Sequence, residues 1–136
     1  LFAAALAISP SLKKLDAENY ILVKQVQIRI LQVAMSGISV VYMVLALIGM
    51  LQARADGLAS VFSLTLWEVI LVVLALAYSG FTDIPYNIAI LKWNPKNPPA
   101  DWAKTRDAWD FANYVRAVPC LIAFVLQITA LTLLAR

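Results

Sequence analysis

The sequence predicts an all-α integral membrane protein, a single domain with a bundle of four membrane-spanning helices, of which helices 2 and 4 extend into the cytoplasm. Hydrophobic residues make up 62% of the 136 positions and charged residues 14%, against about 45–50% and about 25% in soluble domains. The mean hydropathy is +0.80. A soluble domain of this size cannot bury so much apolar surface, so we expect a lipid bilayer to cover part of it.

Three apolar runs are long enough to cross the hydrocarbon core, which takes about 20 helical residues. They cover residues 30–53, 58–81 and 111–135. Residues 1–9 are equally apolar but short, and no Met precedes them, so we interpret them as the end of a truncated first span. A cleaved signal peptide is the alternative, although neither a basic region nor a small-residue cleavage site is visible.

The distribution of Lys and Arg predicts the orientation of the spans. Alternating spans place segments 10–29 and 82–110 on one side, where eight Lys and Arg lie, and only Arg54 and Arg136 on the other. Because Lys and Arg in short connections remain cytoplasmic, both segments are predicted to be cytoplasmic. The expected location is a multi-pass position in a membrane.

Helix-start signals predict where the cytoplasmic ends of the helices lie. Asp16 can cap a helix that continues into the second span, and Asp101 can cap one that continues into the fourth. These two helices should therefore be the longest. Thr82 can cap a short surface helix over residues 84–93, with Pro85 near its start.

Charge and residue types exclude several function classes. The net charge of +3 comes from dispersed residues, and the chain has one cysteine and no histidine. These features argue against a nucleic-acid platform, a disulfide framework, a histidine-ligated haem and nearly every zinc or copper site. We therefore expect neither a nucleic-acid partner nor a metal.

Polar and aromatic residues recur at spacings of three and four, and once of seven, along two of the predicted helices, which places them on one face of each. They are Gln25, Arg29, Gln32, Ser36 and Ser39 on helix 2, and Trp102, Arg106, Trp109, Asn113, Arg116, Cys120 and Gln127 on helix 4. Two facing polar stripes predict a polar interior. Hydrogen bonds that merely hold the helices together are the alternative for the Gln and Ser residues.

Two ionisable residues lie inside the predicted spans. Arg116 needs a partner or a water-filled cavity, unless its side chain reaches back to the membrane interface. Glu68 lies near the centre of the third span and must face inward, with Tyr42 and Gln127 at similar depth. It is either a proton acceptor at the floor of a cavity or a neutral structural residue that is hydrogen-bonded to one of these two.

The aromatic residues of helix 4 also allow two interpretations. Trp102 and Trp109 can stack on a flat aromatic ligand, or they can anchor the helix at the membrane interface as Trp residues commonly do. Interface anchoring is also expected for Arg106 and Arg29.

Several motifs together resemble a known family. They are Ser9-Pro10-x-Leu12 followed by Leu15-Asp16 and Gln25, then Pro85-x-Asn87, and most specifically Pro99-x-Asp101-Trp102-x-x-x-Arg106-x-x-Trp109-x-x-x-Asn113-x-x-Arg116. Over nearly its whole length the chain resembles the small four-helix membrane proteins related to fungal anthrone oxygenases. The resemblance implies oxidation of an anthrone to an anthraquinone by molecular oxygen, with no cofactor. Because many members of that family are bacterial, it also implies a bacterial inner membrane.

The resemblance also implies a candidate site. Arg116 or Arg106 would stabilise an enolate, and Glu68 or Asp83 would accept the proton. The candidate catalytic residues are Glu68, Asn113 and Arg116, and the candidate substrate contacts are Gln25, Arg29, Asp83, Asn87, Trp102, Arg106 and Trp109. The expected ligand is a flat, apolar aromatic molecule.

Two other function classes remain open. The first is a non-catalytic accessory subunit, whose polar stripes pack against partner helices or a second copy of the chain and whose basic segments dock a cytoplasmic surface. The second is a four-helix glutathione-linked enzyme of the eicosanoid type. The arginine-rich motif that such an enzyme carries in its second helix is not present, which disfavours it.

Overall fold

The computed structural model describes residues 9–135, and every named element in that part is a helix. The elements are α1 (Ser9–Leu12), α2 (Ala17–Ala55), α3 (Ala59–Phe81), α4 (Asp83–Lys92) and α5 (Trp102–Leu134). The predicted all-α fold is therefore confirmed. Except for its last residue, the predicted first span over residues 1–9 lies outside the described residues.

The long helices have the lengths that the apolar runs and caps predict. α2 has 39 residues and α5 has 33, which makes them the two longest helices of the described chain. Among residues 9–135, three helical segments are long and apolar enough to cross a membrane: α2, α3 together with α4, and α5. Large apolar side chains on them are exposed, for example Val33 and Phe111. These helices are consistent with a membrane protein.

The starts of α2 and α5 agree with the prediction. Asp16 Oδ1 accepts the backbone N–H of Asn19 at 3.0 Å and caps α2. α5 begins directly after Asp101, where the backbone N–H of Thr105 donates to the Asp101 carbonyl at 3.1 Å. Asp16 thus makes the predicted cap, whereas α5 begins at the predicted position without a cap bond from the Asp101 side chain among the described contacts.

The start of α4 corrects one expectation. α4 covers Asp83–Lys92, within one residue of the predicted range, but Thr82 makes no side-chain cap. Its hydroxyl instead donates to the carbonyl of Tyr78 at 2.8 Å. Because Thr82 directly follows α3 and keeps a helical backbone conformation, its hydroxyl lies beside the last turn of α3.

The described chain forms two compact units. Unit 1 comprises residues 9–34 and 77–117, and unit 2 comprises residues 35–76 and 118–135. α2 and α5 each contribute residues to both units. The buried apolar residues of unit 1 include Tyr20, Ile21, Ile28 and Ile90, and those of unit 2 include Ala53, Val61 and Ala130.

In unit 1, Gln25 joins α2 to the end of α4. Its Nε2 donates to the carbonyl oxygens of Ile90 and Trp93, both at 2.9 Å. The last carbonyls of a helix have no partner within the helix, and Ile90 is fully buried. The Gln25 amide therefore satisfies groups that water cannot readily reach.

Replacing this amide is expected to destabilise unit 1. Gln25→Leu should lower the free energy of unfolding by about 1–3 kcal/mol, because the carbonyl of Trp93 loses its donor and that of Ile90 keeps only the backbone N–H of Trp93. Denaturant titration of the purified protein in detergent measures this difference. Gln52→Leu, at an exposed position of the same helix, is the matched control. Equal stability of the two variants would show that the Gln25 contacts contribute nothing.

Candidate functional site

Buried polar side chains are concentrated in unit 1. The buried polar and charged residues of the described chain are Lys24, Thr65, Glu68, Asp83, Asp110 and Asn113. Four of these six belong to unit 1. Since burying charged groups without compensation is costly, their contacts locate the candidate site.

Arg116 lies at the centre of these contacts. Its Nη1 donates to Ser79 Oγ at 2.8 Å and forms an ion pair with Asp83 Oδ2, and its Nη2 donates to Asn113 Oδ1 at 2.5 Å. Side chains from α3, α4 and α5 thus converge on one guanidinium group. A partner for Arg116, which the sequence required, is present in Asp83.

This ion pair has an unused atom on each side. Arg116 Nε and Asp83 Oδ1 are both buried, and neither has a hydrogen-bond partner among the described residues. A buried polar atom without a partner costs about 1–3 kcal/mol and is uncommon in folded proteins. One hydrogen-bond donor and one hydrogen-bond acceptor of the pair are therefore left unused in the interior of unit 1.

Asn113 and Trp109 extend the cluster. Asn113 Nδ2 donates to the carbonyl of Trp109 at 2.9 Å, so its amide oxygen faces Arg116 and its nitrogen faces the α5 backbone. Trp109 Nε1 donates to Asn87 Oδ1 at 2.9 Å, which links α5 to α4. We call these residues, together with Ser79, Asp83 and Arg116, the Arg116 cluster.

Lys24 covers one face of the Trp109 ring. Its Nζ lies 3.2 Å from the ring centroid and donates to Gln27 Oε1 at 3.2 Å. Only 1% of Lys24 is exposed. A flat ligand therefore cannot stack on that face of Trp109. Only the opposite face of the ring remains for the predicted stacking.

The surroundings of Lys24 lower its pKa and so favour its uncharged form. The residue precedes the predicted span 30–53, and burial lowers its pKa to about 8, although the carboxylates of Asp110 and Asp83 act in the opposite direction. Asp110 is itself buried and forms an ion pair with Lys13 at 3.3 Å. Part of the Lys24 population is thus uncharged slightly above neutral pH.

Trp102 and Arg106 make contacts of another kind. Trp102 packs against Tyr20 with 5.6 Å between ring centroids, and the Arg106 guanidinium lies 5.1 Å from the Trp102 ring. Arg106 Nε donates to Asp107 Oδ1 at 3.0 Å. None of these described contacts includes Arg116, so packing and surface anchoring account for this pair.

The two candidates on α2 do not join the cluster either. Gln25 is engaged with the end of α4. Arg29 is exposed, and no contact among the described residues links it to the cluster. The polar stripes of helices 2 and 4 were predicted to face each other. In the hydrogen bonds of unit 1, however, neither Gln25 nor Arg29 contacts Arg116.

Glu68 belongs to unit 2 and is fully buried. Its Oε1 accepts the hydroxyl of Tyr42. The amide orientation that satisfies Gln127 directs its nitrogen to both carboxylate oxygens, with 2.9 Å to Oε1. The two partners that the sequence suggested are both present, and they account for the burial of Glu68.

Comparison with known proteins identifies the family. The profile of the anthrone oxygenase family matches residues 25–126, which is most of the chain. The chain belongs to the anthrone oxygenase family. No curated protein and no solved structure matches it significantly.

The matched range of the anthrone oxygenase family includes the whole Arg116 cluster. Of the candidate site residues, Asp83, Asn87, Trp109, Asn113 and Arg116 lie together in this cluster. The anthrone oxygenase resemblance did not, however, indicate Ser79, Asp110 or Lys24.

A local signal for Lys24 was available. It lies on the same face of α2 as Ile21 and Ile28, at helical spacings of three and four. Both isoleucines are buried. This periodicity indicates that Lys24 faces the interior of unit 1 rather than solvent.

Proposed function

We propose that this protein is a cofactor-independent oxygenase that oxidises an anthrone, or a closely related flat phenolic ketone, with molecular oxygen. Membership in the anthrone oxygenase family supports the reaction class. The observation that carries the proposal is the buried Asp83–Arg116 pair, which has one free acceptor and one free donor. Deprotonation of an anthrone needs both groups.

Asp83 is the proton acceptor in this proposal. Its Oδ1 takes a proton from the methylene carbon opposite the anthrone carbonyl, and the negative charge moves to the carbonyl oxygen. Arg116 Nε donates to that oxygen and stabilises the enolate. Asn113 and Ser79 hold the guanidinium in place through Nη2 and Nη1.

The enolate is electron-rich and reacts with O2. A carbon–oxygen bond forms at the former methylene carbon, and the product is a hydroperoxide. Loss of the second proton from that carbon and cleavage of the O–O bond release water and leave the second carbonyl. One anthrone and one O2 thus give one anthraquinone and one water.

The proposal includes a position in the membrane. The excess of Lys and Arg in segments 10–29 and 82–110 supports a cytoplasmic location for both, in a bacterial inner membrane. Most of the Arg116 cluster lies in or next to segment 82–110. An apolar tricyclic substrate can then reach the site from the lipid phase.

Turnover by the purified protein tests this function. Oxygen consumption and quinone absorbance should appear together, one O2 per quinone, above the spontaneous rate. Arg116→Gln should lower kcat/KM for the anthrone by about 100-fold, because the enolate loses its main donor. Arg54→Gln, at an exposed arginine of unit 2, should retain the activity of the parent.

An accessory subunit is the second candidate function. No residue in the most apolar stretch of α2 is buried by the described residues, so this surface is open to a partner helix as well as to lipid. A parent protein without turnover that co-purifies with a stoichiometric membrane partner would favour this function over the oxygenase.

A further inference from the structure

We propose that Lys24 activates dioxygen, with its buried ammonium group stabilising the superoxide that forms when the anthrone enolate transfers an electron to O2. This inference rests on the proposed oxygenase function and adds a residue to it. Lys24 lies just before the range matched by the family profile.

The contacts of Lys24 do not fit a purely structural cation. Buried lysines are normally paired with a carboxylate. Among the described residues, Lys24 has no ion pair; its polar contacts are Gln27 Oε1 and the ring of Trp109. The buried carboxylate of Asp110 acts on Lys24 electrostatically but forms its ion pair with Lys13. An ammonium group has three N–H donors, so Lys24 retains donors for a transient anion.

Lys24 is connected to the Arg116 cluster through Trp109. The Lys24 ammonium lies over the Trp109 ring, and Nε1 of this ring donates to Asn87 Oδ1. The backbone carbonyl of the same residue accepts from Asn113, which in turn binds Arg116. Asp83 also acts electrostatically on Lys24. The cation therefore belongs to the same group of residues as the proposed base.

Electron transfer from the enolate to O2 is favoured by a positive charge close to O2. O2 is neutral and apolar and enters apolar surroundings readily. When the enolate gives up one electron, the negative charge moves from the substrate to O2, which leaves a substrate radical and superoxide. A fixed cation in low-dielectric surroundings favours that transfer. The two radicals then combine through a carbon–oxygen bond, and the proton held by Asp83 returns to the hydroperoxide.

Stopped-flow mixing in two stages tests the role of Lys24. Anaerobic mixing with a hydroxylated anthrone measures formation of the enolate by its absorbance, and subsequent mixing with O2 measures its oxidation. Lys24→Met should form the enolate like the parent but show a second-order rate constant with O2 that is about 10- to 100-fold lower. Lys104→Met, at an exposed lysine in the first turn of α5, should match the parent in both stages.

The pH dependence of the parent gives a second test that needs no variant. The groups that act on Lys24 are Asp83 from α4, Asp110 and Trp109 from α5, and Gln27 on its own helix. As the pH rises through about 8, the pKa of Lys24, the ammonium loses its proton and the rate constant with O2 should fall. In Lys24→Arg this decrease should be absent.

Each outcome separates the two proposals. If Lys24→Met reacts with O2 as fast as the parent, or if the O2 step of the parent is independent of pH across this range, the role of Lys24 is refuted while the oxygenase function stands. If the parent forms no enolate anaerobically and consumes no O2, the oxygenase function fails and the role of Lys24 fails with it.

Discussion

Asp83→Asn is expected to reduce anthrone turnover by about 10³-fold, the largest effect on activity in this protein. The substitution removes the only carboxylate in direct contact with Arg116 among the described residues. It removes both the proton acceptor and the charge that holds the guanidinium in place. Anaerobic enolate formation should therefore disappear, whereas loss of Lys24 impairs only the later step with O2.

The same substitution also affects folding, so stability has to be measured alongside turnover. Removing one partner of a buried ion pair costs about 3–5 kcal/mol when the other charge remains buried. Part of the Arg116 side chain is exposed, 19%, so we expect a smaller loss. Asp56→Asn, at an exposed position in unit 2, is the control. Folded Asp83→Asn protein with parental turnover would refute Asp83 as the base.

Glu68→Lys is expected to abolish accumulation of the folded protein, the largest effect on stability. Glu68 is fully buried within α3, and the groups around its carboxylate, Tyr42 and Gln127, are arranged to donate to an acceptor. A lysine would place a cation among these donors, at the centre of a predicted span. Burial of such a charge in a membrane helix costs at least about 2.5 kcal/mol before any lost contacts. The yield of membrane-extracted monodisperse protein measures the effect.

Two control variants separate charge from size. Glu68→Gln retains an oxygen that accepts from Tyr42, and Gln127 can reorient its amide, so the yield should stay close to that of the parent. Glu18→Lys makes the same change of charge at an exposed position in the first turn of α2, where it should be tolerated. Normal accumulation of Glu68→Lys would show that the carboxylate of Glu68 has access to water.

The two polar groups differ in how complete their contacts are. The carboxylate of Glu68 is satisfied by side chains from two neighbouring helices of unit 2, as expected for a residue that holds helices together. The Asp83–Arg116 pair retains an unused acceptor and donor. This contrast is the reason that the proposed chemistry is assigned to Asp83 rather than to Glu68.

The amino-acid sequence by itself predicted the three long helices and the approximate range of α4. The length of an apolar run and the positions of Asp16 and Asp101 are local properties, so the ends of α2 and the start of α5 followed from them. The inward position of Glu68 was also predictable, because the cost of exposing a carboxylate to lipid depends only on its depth in the helix. The stripe that contains Trp109, Asn113 and Arg116 came from helical periodicity alone.

Only the tertiary structure decided which polar groups meet. The sequence offered Glu68 and Asp83 as alternative proton acceptors, but among the described residues only Asp83 pairs with Arg116, because the turn between α3 and α4 brings its carboxylate to α5. Likewise the spacing of Lys24 from Ile21 and Ile28 indicates that it faces inward, but only the tertiary structure shows that its ammonium group lies on the ring of Trp109. Burial and pairing depend on residues that are distant in the chain. The sequence therefore predicted the polar stripe of α5, whereas only the tertiary structure showed its contacts with α3 and α4.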